Sequence, residues 1–376
     1  MYKIILHNCL RLCVFAFLVA CNSSKKIEKS DFTKETVLKL EPGEDNPRNS
    51  EGDFVTLKSG RIIFVYSHYT GKSSSDHASA YLASRYSDDN GKTWSAKSEL
   101  VVQKEGTMNV MSVSLLRLKN GEIALFYLKK NAIDDCIPMV RFSKDEGKTW
   151  SEPIACITDK KGYFVLNNNR VIQLKNGRLV FAVALHQTPE TKWSGTGRLF
   201  SYYSDDNGKT WKAGGEVANP NNIVTQEPGV IELKNGDIFM FIRAGAGVQY
   251  KSVSKDKGIT WSTAEPTTIK SPLSPASIGR IPKTGDLFLV WNNNDGSDPK
   301  TKGKRTPLSI AVSKDDGKTW EKTKNIEVDP EGWYCYMAIH FTKNDVLLGY
   351  CSNAPPRKGH LTQTNITRLS LDWIYN

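Results

Sequence analysis

An all-β fold of repeated four-stranded units is predicted by two registers of repetition and by the apolar runs between them. The first register is an eight-residue phrase present five times: Ser87-Asp-Asp-Asn-Gly-Lys-Thr-Trp94, Ser143-Lys-Asp-Glu-Gly-Lys-Thr-Trp150, Ser204-Asp-Asp-Asn-Gly-Lys-Thr-Trp211, Ser254-Lys-Asp-Lys-Gly-Ile-Thr-Trp261 and Ser313-Lys-Asp-Asp-Gly-Lys-Thr-Trp320. The starts lie 56, 61, 50 and 59 residues apart. That spacing is too long for a helical solenoid and close to one four-stranded blade of a β-propeller. The second register is a Leu-Lys-x-Gly-x-Ile/Leu phrase at Leu57 to Ile62, Leu118 to Ile123, Leu174 to Leu179 and Leu233 to Ile238, with looser forms at Lys283 to Leu287 and Lys343 to Leu347. Six such turns predict a six-bladed β-propeller.

The first residues differ from the rest. Lys3, an apolar stretch interrupted by Arg11, and Leu18-Val-Ala-Cys21 followed by a polar run read as an export signal, not a membrane span. The small residues ending in cysteine resemble the bacterial lipobox. That resemblance implies a signal peptide over 1–20, lipidation of Cys21, a tether over 21–35, and an exported lipoprotein held at the bacterial outer membrane. The propeller itself is expected over 36–376.

Within each repeat, the Leu-Lys-x-Gly turn reads as the tip of a hairpin, with glycine or asparagine supplying positive φ. Runs such as Ile62-Ile-Phe-Val-Tyr66 and Ile238-Phe-Met-Phe-Ile242 read as the buried strand that follows. In the Ser-x-Asp-x-Gly-x-Thr-Trp phrase, the aspartate can accept from the turn's own N–H groups, glycine takes the left-handed position, and tryptophan packs between blades. Such turns do not provide the alternating ligands of a calcium loop. No metal and no cofactor are expected.

Loss of Cys9 and Cys13 with the leader and use of Cys21 for lipid leave Cys136, Cys156, Cys335 and Cys351, whose spacing shows no metal pattern and leaves bridges and free thiols both open. The net charge of +11 is carried largely by lysines of the turns. It suits an anionic glycan, and the absence of any basic tract argues against nucleic acid. A monomer is expected.

In a propeller, functional residues lie at one end of the central channel, near the start of each repeat. The arginines placed there are Arg48, Arg170, Arg243 and Arg305. The amide-rich Asn167-Asn-Asn-Arg170 adds groups able to read sugar hydroxyls, with Arg170 as a binding candidate.

The repeated phrase resembles the Asp-box of sialidases, and over roughly 40–376 the chain is similar to the exo-sialidase (neuraminidase) family. The resemblance implies five Asp-box hairpins on the blades. It also implies three arginines that clamp the substrate's carboxylate by paired, charge-assisted hydrogen bonds. Arg243, sixteen residues after Glu227 in Gln226-Glu-Pro-Gly, looks like the second arginine. Arg305, in Arg305-Thr-Pro-Leu, looks like the third. Arg48 stands at the first position, where the family's apolar neighbours are replaced by Arg48-Asn-Ser-Glu51 and further acids, Glu51 and Asp53, lie close by.

The same resemblance assigns the chemistry. A carboxylate nucleophile would be repelled by the substrate's carboxylate, so this family uses a neutral tyrosine polarised by a base. Tyr334, in Tyr334-Cys-Tyr-Met-Ala338, takes that role, with Tyr336 competing for it. Glu227 is the base. Asp76, in Gly71-Lys-Ser-Ser-Ser-Asp-His77, is the acid that protonates the leaving oxygen, with Asp53 a second candidate; His77 and His186 could bond a sugar. The implied activity is retaining hydrolysis of a terminal carboxylate-bearing sugar, sialic acid first, from sialylated or other acidic glycans. Two alternatives fit the same residues: a non-catalytic glycan-binding propeller, and a hydrolase or lyase acting on another ulosonic or uronic acid.

Overall fold

The computed structural model describes residues 34–353 and 360–376. The expected signal peptide, Cys21 and all but the end of the expected tether lie outside those residues. β1 (Lys34–Leu40) opens the described chain, beginning two residues inside the stretch read as tether. β2 (Asn49–Thr56), β3 (Ile62–Tyr69), β4 (Ala80–Ser87) and β5 (Glu99–Val102) then pair in that order as an antiparallel sheet.

β6 (Asn109–Arg117), β7 (Ile123–Ala132), β8 (Asp135–Ser143) and the short β9 (Ile154–Ala155) repeat the pattern. So do β10 (Tyr163–Val165) and β11 (Ile172–Gln173), both set against β12 (Leu179–Gln187), with β13 (Arg198–Ser204) and β14 (Lys212–Glu216) beyond. One parallel pairing, Tyr163 with Cys136, joins these two runs into a nine-stranded sheet. β15 (Thr225–Glu232), β16 (Ile238–Ala244), β17 (Val248–Ser254) and β18 (Glu265–Lys270) form the next four-stranded sheet. β19 (Ser277–Arg280), β20 (Leu287–Asn292), β21 (Leu308–Ser313) and β22 (Glu321–Glu327) form another.

The last sheet is closed by both ends of the described chain. β23 (Trp333–Phe341), β24 (Asp345–Asn353) and β25 (Thr364–Ser370) pair in sequence, and β1 adds to the outer side of β25. The first strands of the sheets meet in a closed circuit: β2 touches β6, β15 touches β19, β19 touches β23, and β23 returns to β2. The backbone N–H of Asn169 donating to Val113 O, and contacts of β12 with β15, complete it.

The second strand of each sheet carries the apolar run seen in the sequence, because it is covered on both faces. β12, Leu-Val-Phe-Ala-Val-Ala-Leu-His-Gln, is buried along all but its last residue. The core lies between neighbouring sheets. Phe126 and Phe181 are fully buried and enclose Trp211 from the third Ser-x-Asp turn, at ring separations of 5.8 and 4.9 Å. Each such side chain contributes on the order of 2–3 kcal/mol.

The turns themselves are held by their own side chains. In the first, Asp89 accepts from the N–H groups of Lys92 and Thr93 at 3.0 and 2.9 Å, while Ser87 Oγ accepts from Gly91 N–H at 2.8 Å. The same serine and threonine bonds recur around Asp145, Asp206, Asp256 and Asp315. Asn90 and Gly91 both take positive φ, which explains a glycine at the second position and a short polar residue at the first. Cys136, Cys156, Cys335 and Cys351 are free and buried.

Candidate active site

Five of the innermost strand segments carry one non-glycine residue with positive φ: Glu51 at 54°, Ser112 at 58°, Asn169 at 57°, Glu227 at 41° and Tyr336 at 59°. Four of them sit where the pairing slips: between Ser50 and Asp53, Met111 and Ser114, Gln226 and Gly229, and Cys335 and Ala338. A bulge re-aims the side chain it inserts. Here it turns Glu51, Ser112, Glu227 and Tyr336 into one cavity of about 350 Å³. A left-handed tyrosine or glutamate costs on the order of 1–2 kcal/mol, the kind of strain that concentrates at functional sites.

The glycines beside the bulges make this geometry possible. A Cβ on Gly229 would lie 2.2 Å from Phe241 Cζ, and one on Gly52 would lie 2.3 Å from Phe64 Cζ. Asn168 fastens two bulges together across the circuit, its Nδ2 donating to Gly52 O at 2.9 Å and to Tyr336 O at 3.1 Å. Asn169 Nδ2 donates to Asp53 and its Oδ1 accepts from Ile339 N–H. The asparagine run therefore positions the floor of the cavity, a role that nothing in its polar composition distinguishes from an ordinary loop.

The cavity brings together Asp76, Arg305 and Tyr336 from three repeats and the Glu227–Arg243 pair from a fourth. Arg243 Nη1 lies 2.7 Å from Glu227 Oε1, and both side chains are about nine-tenths covered. Tyr336 Oη donates to the same Glu227 oxygen at 3.3 Å. Burial works against the charge on Glu227, but Arg243, Arg305 and Arg170 outweigh it and hold the carboxyl below its usual range. Burial and the neighbouring Glu227 charge push the Tyr336 phenol well up, so it stays neutral. Arg305 lies over the rings of Trp333 and Tyr336 at 5.1 and 5.5 Å. Arg243 Nε, Arg305 Nε, Glu227 Oε2 and Asn167 Nδ2 are buried without a hydrogen-bond partner among the described residues.

Tyr334, expected from its motif to face Glu227, does not. Its side chain is 2% exposed and packs with Met337, Ile310 and Tyr350 on the other face of β23. Strand alternation alone would put Tyr334 and Tyr336 on one face; the bulge after Cys335 separates them. Arg170 does not line the cavity either. It is buried beneath it, donating to Ala276 O at 2.6 Å and Ser277 Oγ at 3.2 Å and lying over Phe241. It joins two sheets.

Arg48 lies behind the cavity wall, 1% exposed, with every donor group engaged. Nε donates to Ser50 Oγ at 2.8 Å, Nη1 to Asp76 Oδ1 at 2.5 Å and to Ser74 O, and Nη2 to Glu51 Oε2 at 3.4 Å. Against the effect of burial, Arg48 and Lys130 keep the half-exposed Asp76 carboxyl below its usual range. Asp53 is buried away from the cavity, accepting from Phe54 N–H, Leu115 N–H and Asn169. His77 is exposed on its loop and outside the cavity wall. His186 lines the cavity, its Nδ1–H donating to Ser194 O at 2.8 Å and its ring stacked on Trp193 at 4.7 Å.

Several wall residues carried no sequence signal. Lys130 is buried, with Nζ donating to Asp76 O at 2.8 Å. Trp193, 54% exposed, and Trp333, stacked on His360 at 4.3 Å, flank the mouth. An adjoining cavity of about 400 Å³ shares His186 and runs beneath the 188–197 loop, but its acid, Glu216, is paired with Arg198. It lacks the tyrosine–carboxylate pair.

Comparison with known proteins bears on the family and the fold. A family model described as BNR repeat-like domain matches residues 69–348. A sialidase of Bacteroides fragilis is 28% identical over 211 residues, 54% of this chain and 37% of that protein, and one from Clostridium perfringens is 28% identical over 241 residues, 56% of this chain and 60% of that protein. The chain thus spans less than two thirds of either relative. Among solved structures, the NanB sialidase from Streptococcus pneumoniae superposes with a TM-score of 0.71 at 16% identity, covering 91% of this chain and 71% of that one. A protein of unknown function from Dyadobacter fermentans gives 0.69 at 21% identity, covering 90% and 99%. At these identities the structures establish a shared β-propeller fold.

Proposed function

The chain belongs to the BNR repeat-like domain family, and from that premise we propose that it is an exo-acting, sialidase-like glycoside hydrolase that releases a terminal carboxylate-bearing sugar, sialic acid first, with retention of configuration. The observation that carries this reading is the Tyr336 hydroxyl donating to Glu227 at 3.3 Å in a cavity that also holds Arg243 and Arg305. We read the nine-stranded sheet as two blades, which makes six, with the five Ser-x-Asp turns as Asp-box hairpins.

In this mechanism Arg243 and Arg305 hold the substrate's carboxylate, aided by Arg48 once its own partners yield. Glu227 takes the phenolic proton as Tyr336 oxygen attacks the anomeric carbon, while Asp76 protonates the departing glycosidic oxygen. The tyrosyl–glycosyl intermediate is then hydrolysed by a water that gives its proton to Asp76, and Glu227 returns the phenolic proton. Asp76 is ionised while it pairs with Arg48, so it becomes an acid only after leaving that contact. That engagement favours one second reading, a propeller that binds an acidic glycan without cleaving it.

The test is release of fluorophore from an aryl α-sialoside by the protein beginning at residue 22, with NMR identification of the first anomer formed. An α-anomer first, with activity abolished in Tyr336→Phe and kept in Tyr334→Phe, supports the proposal. Binding without turnover across acidic glycans supports the second reading. The leader sequence supports an exported, lipid-anchored location, tested by labelling with a radioactive fatty acid in wild type and Cys21→Ala.

A further inference from the structure

Glu51 is the one bulge residue with a carboxyl that the proposed reaction does not use. Its left-handed conformation at the bulge turns it into the cavity wall, and the adjacent Gly52 packs so tightly under Phe64 that a Cβ there would lie 2.3 Å from the ring. Its carboxyl is 5% exposed and lies against Arg48, which gives its remaining donors to Asp76, Ser74 and Ser50. An incoming anion therefore meets an Arg48 whose three nitrogens are each already bonded to another group. Asp76 stands on an exposed serine-rich loop and can withdraw; Glu51, held by the strand, cannot.

Resting on the hydrolase reading above, we propose that Glu51 is a specificity-determining residue that competes with the substrate's carboxylate for Arg48, so that this site binds a carboxylate together with one proton. Glu51 and Asp76 already share Arg48, and a ligand carboxylate brought beside them adds a further like charge that disfavours the ionised form of the buried Glu51. Protonated Glu51 then releases Arg48 and offers an O–H to the ligand. The groups facing Glu51 set the balance: Arg48 from just before β2, Lys130 from β7, Asp76 from the loop, Glu227 from β15, with Tyr69, Tyr163, Cys136 and Cys351 nearby. Burial, opposed by Arg48 and assisted by Asp76, already raises the Glu51 carboxyl to about 7 before any ligand arrives.

The probe is the 2,3-dehydro derivative of N-acetylneuraminic acid, a carboxylate that cannot be hydrolysed, measured by calorimetry in buffers of different ionisation enthalpy. Wild type should bind it about tenfold more weakly for each pH unit above 7 and take up close to one proton at pH 8. Glu51→Gln should bind with little change between pH 6 and 8 and take up almost none, while Asp76→Asn keeps the uptake. The wild-type proton count needs no variant, so it stands if Glu51→Gln misfolds. Binding by wild type without proton uptake overturns this inference and leaves the hydrolase reading intact. Uptake kept in Glu51→Gln and lost in Asp76→Asn also overturns it, assigning the proton to Asp76. Failure of both wild type and Glu51→Gln to bind at any pH removes the carboxylate-substrate reading and this inference together.

Discussion

Glu227→Gln separates the charge of the proposed base from its shape. The carboxylate lies 2.7 Å from Arg243 with about a tenth of either side chain exposed, and Arg305 and Arg170 add further positive potential. At an effective dielectric near 20 and roughly 4 Å between charge centres, one such attraction is about 4 kcal/mol before desolvation. Glutamine keeps an acceptor for Arg243, so the net loss should be about 2–3 kcal/mol, less than the cost of leaving a buried partner bare. The sign with pH follows from a folded-state value below the usual 4.5: the stabilisation is full above the unfolded value and is lost as pH falls through the folded one. Urea denaturation should therefore show a gap of that size at pH 6 that closes as pH falls below about 4. Turnover should drop about 10²- to 10⁴-fold, as expected for loss of a general base, with KM for a carboxylate substrate unchanged or lower because one negative charge has gone. Turnover within tenfold of wild type, or a stability gap that stays constant as pH falls, would refute this account of Glu227.

Tyr334→Phe should retain most activity and lose about 1 kcal/mol of stability, since its phenol lies in the core against Tyr350 and Met337; loss of activity at full stability would return Tyr334 to the site. Asn168→Ala strips Gly52 O and Tyr336 O of a shared donor, which should cost about 2–4 kcal/mol in denaturation and lower kcat more than it alters KM. Thiol titration of the protein beginning at residue 22 should find none of Cys136, Cys156, Cys335 and Cys351 reacting rapidly when native, and all four after denaturation, because each is free and buried; burial pushes Cys136 up to about 12.

Sequence by itself determined the repeating architecture of this protein. The Ser-x-Asp turns and Leu-Lys-x-Gly tips are local structures whose bonds run within a few residues, and the apolar second strands follow from burial on both faces. Glu227 and Arg243 were legible for a related reason: they face each other across one hairpin, with Gln226 opposite Arg243 in register. Tertiary structure alone decided which tyrosine meets Glu227, since a one-residue slip after Cys335 reverses the face that strand periodicity assigns. It also decided that Arg170 is a strut, that Lys130 is a buried wall residue, and that Arg48 is already claimed by Glu51 and Asp76. Those outcomes depend on groups brought together from distant repeats by closure of the circuit. No local pattern of charge or polarity encodes such a distance, because the same side chains on an isolated hairpin would face water.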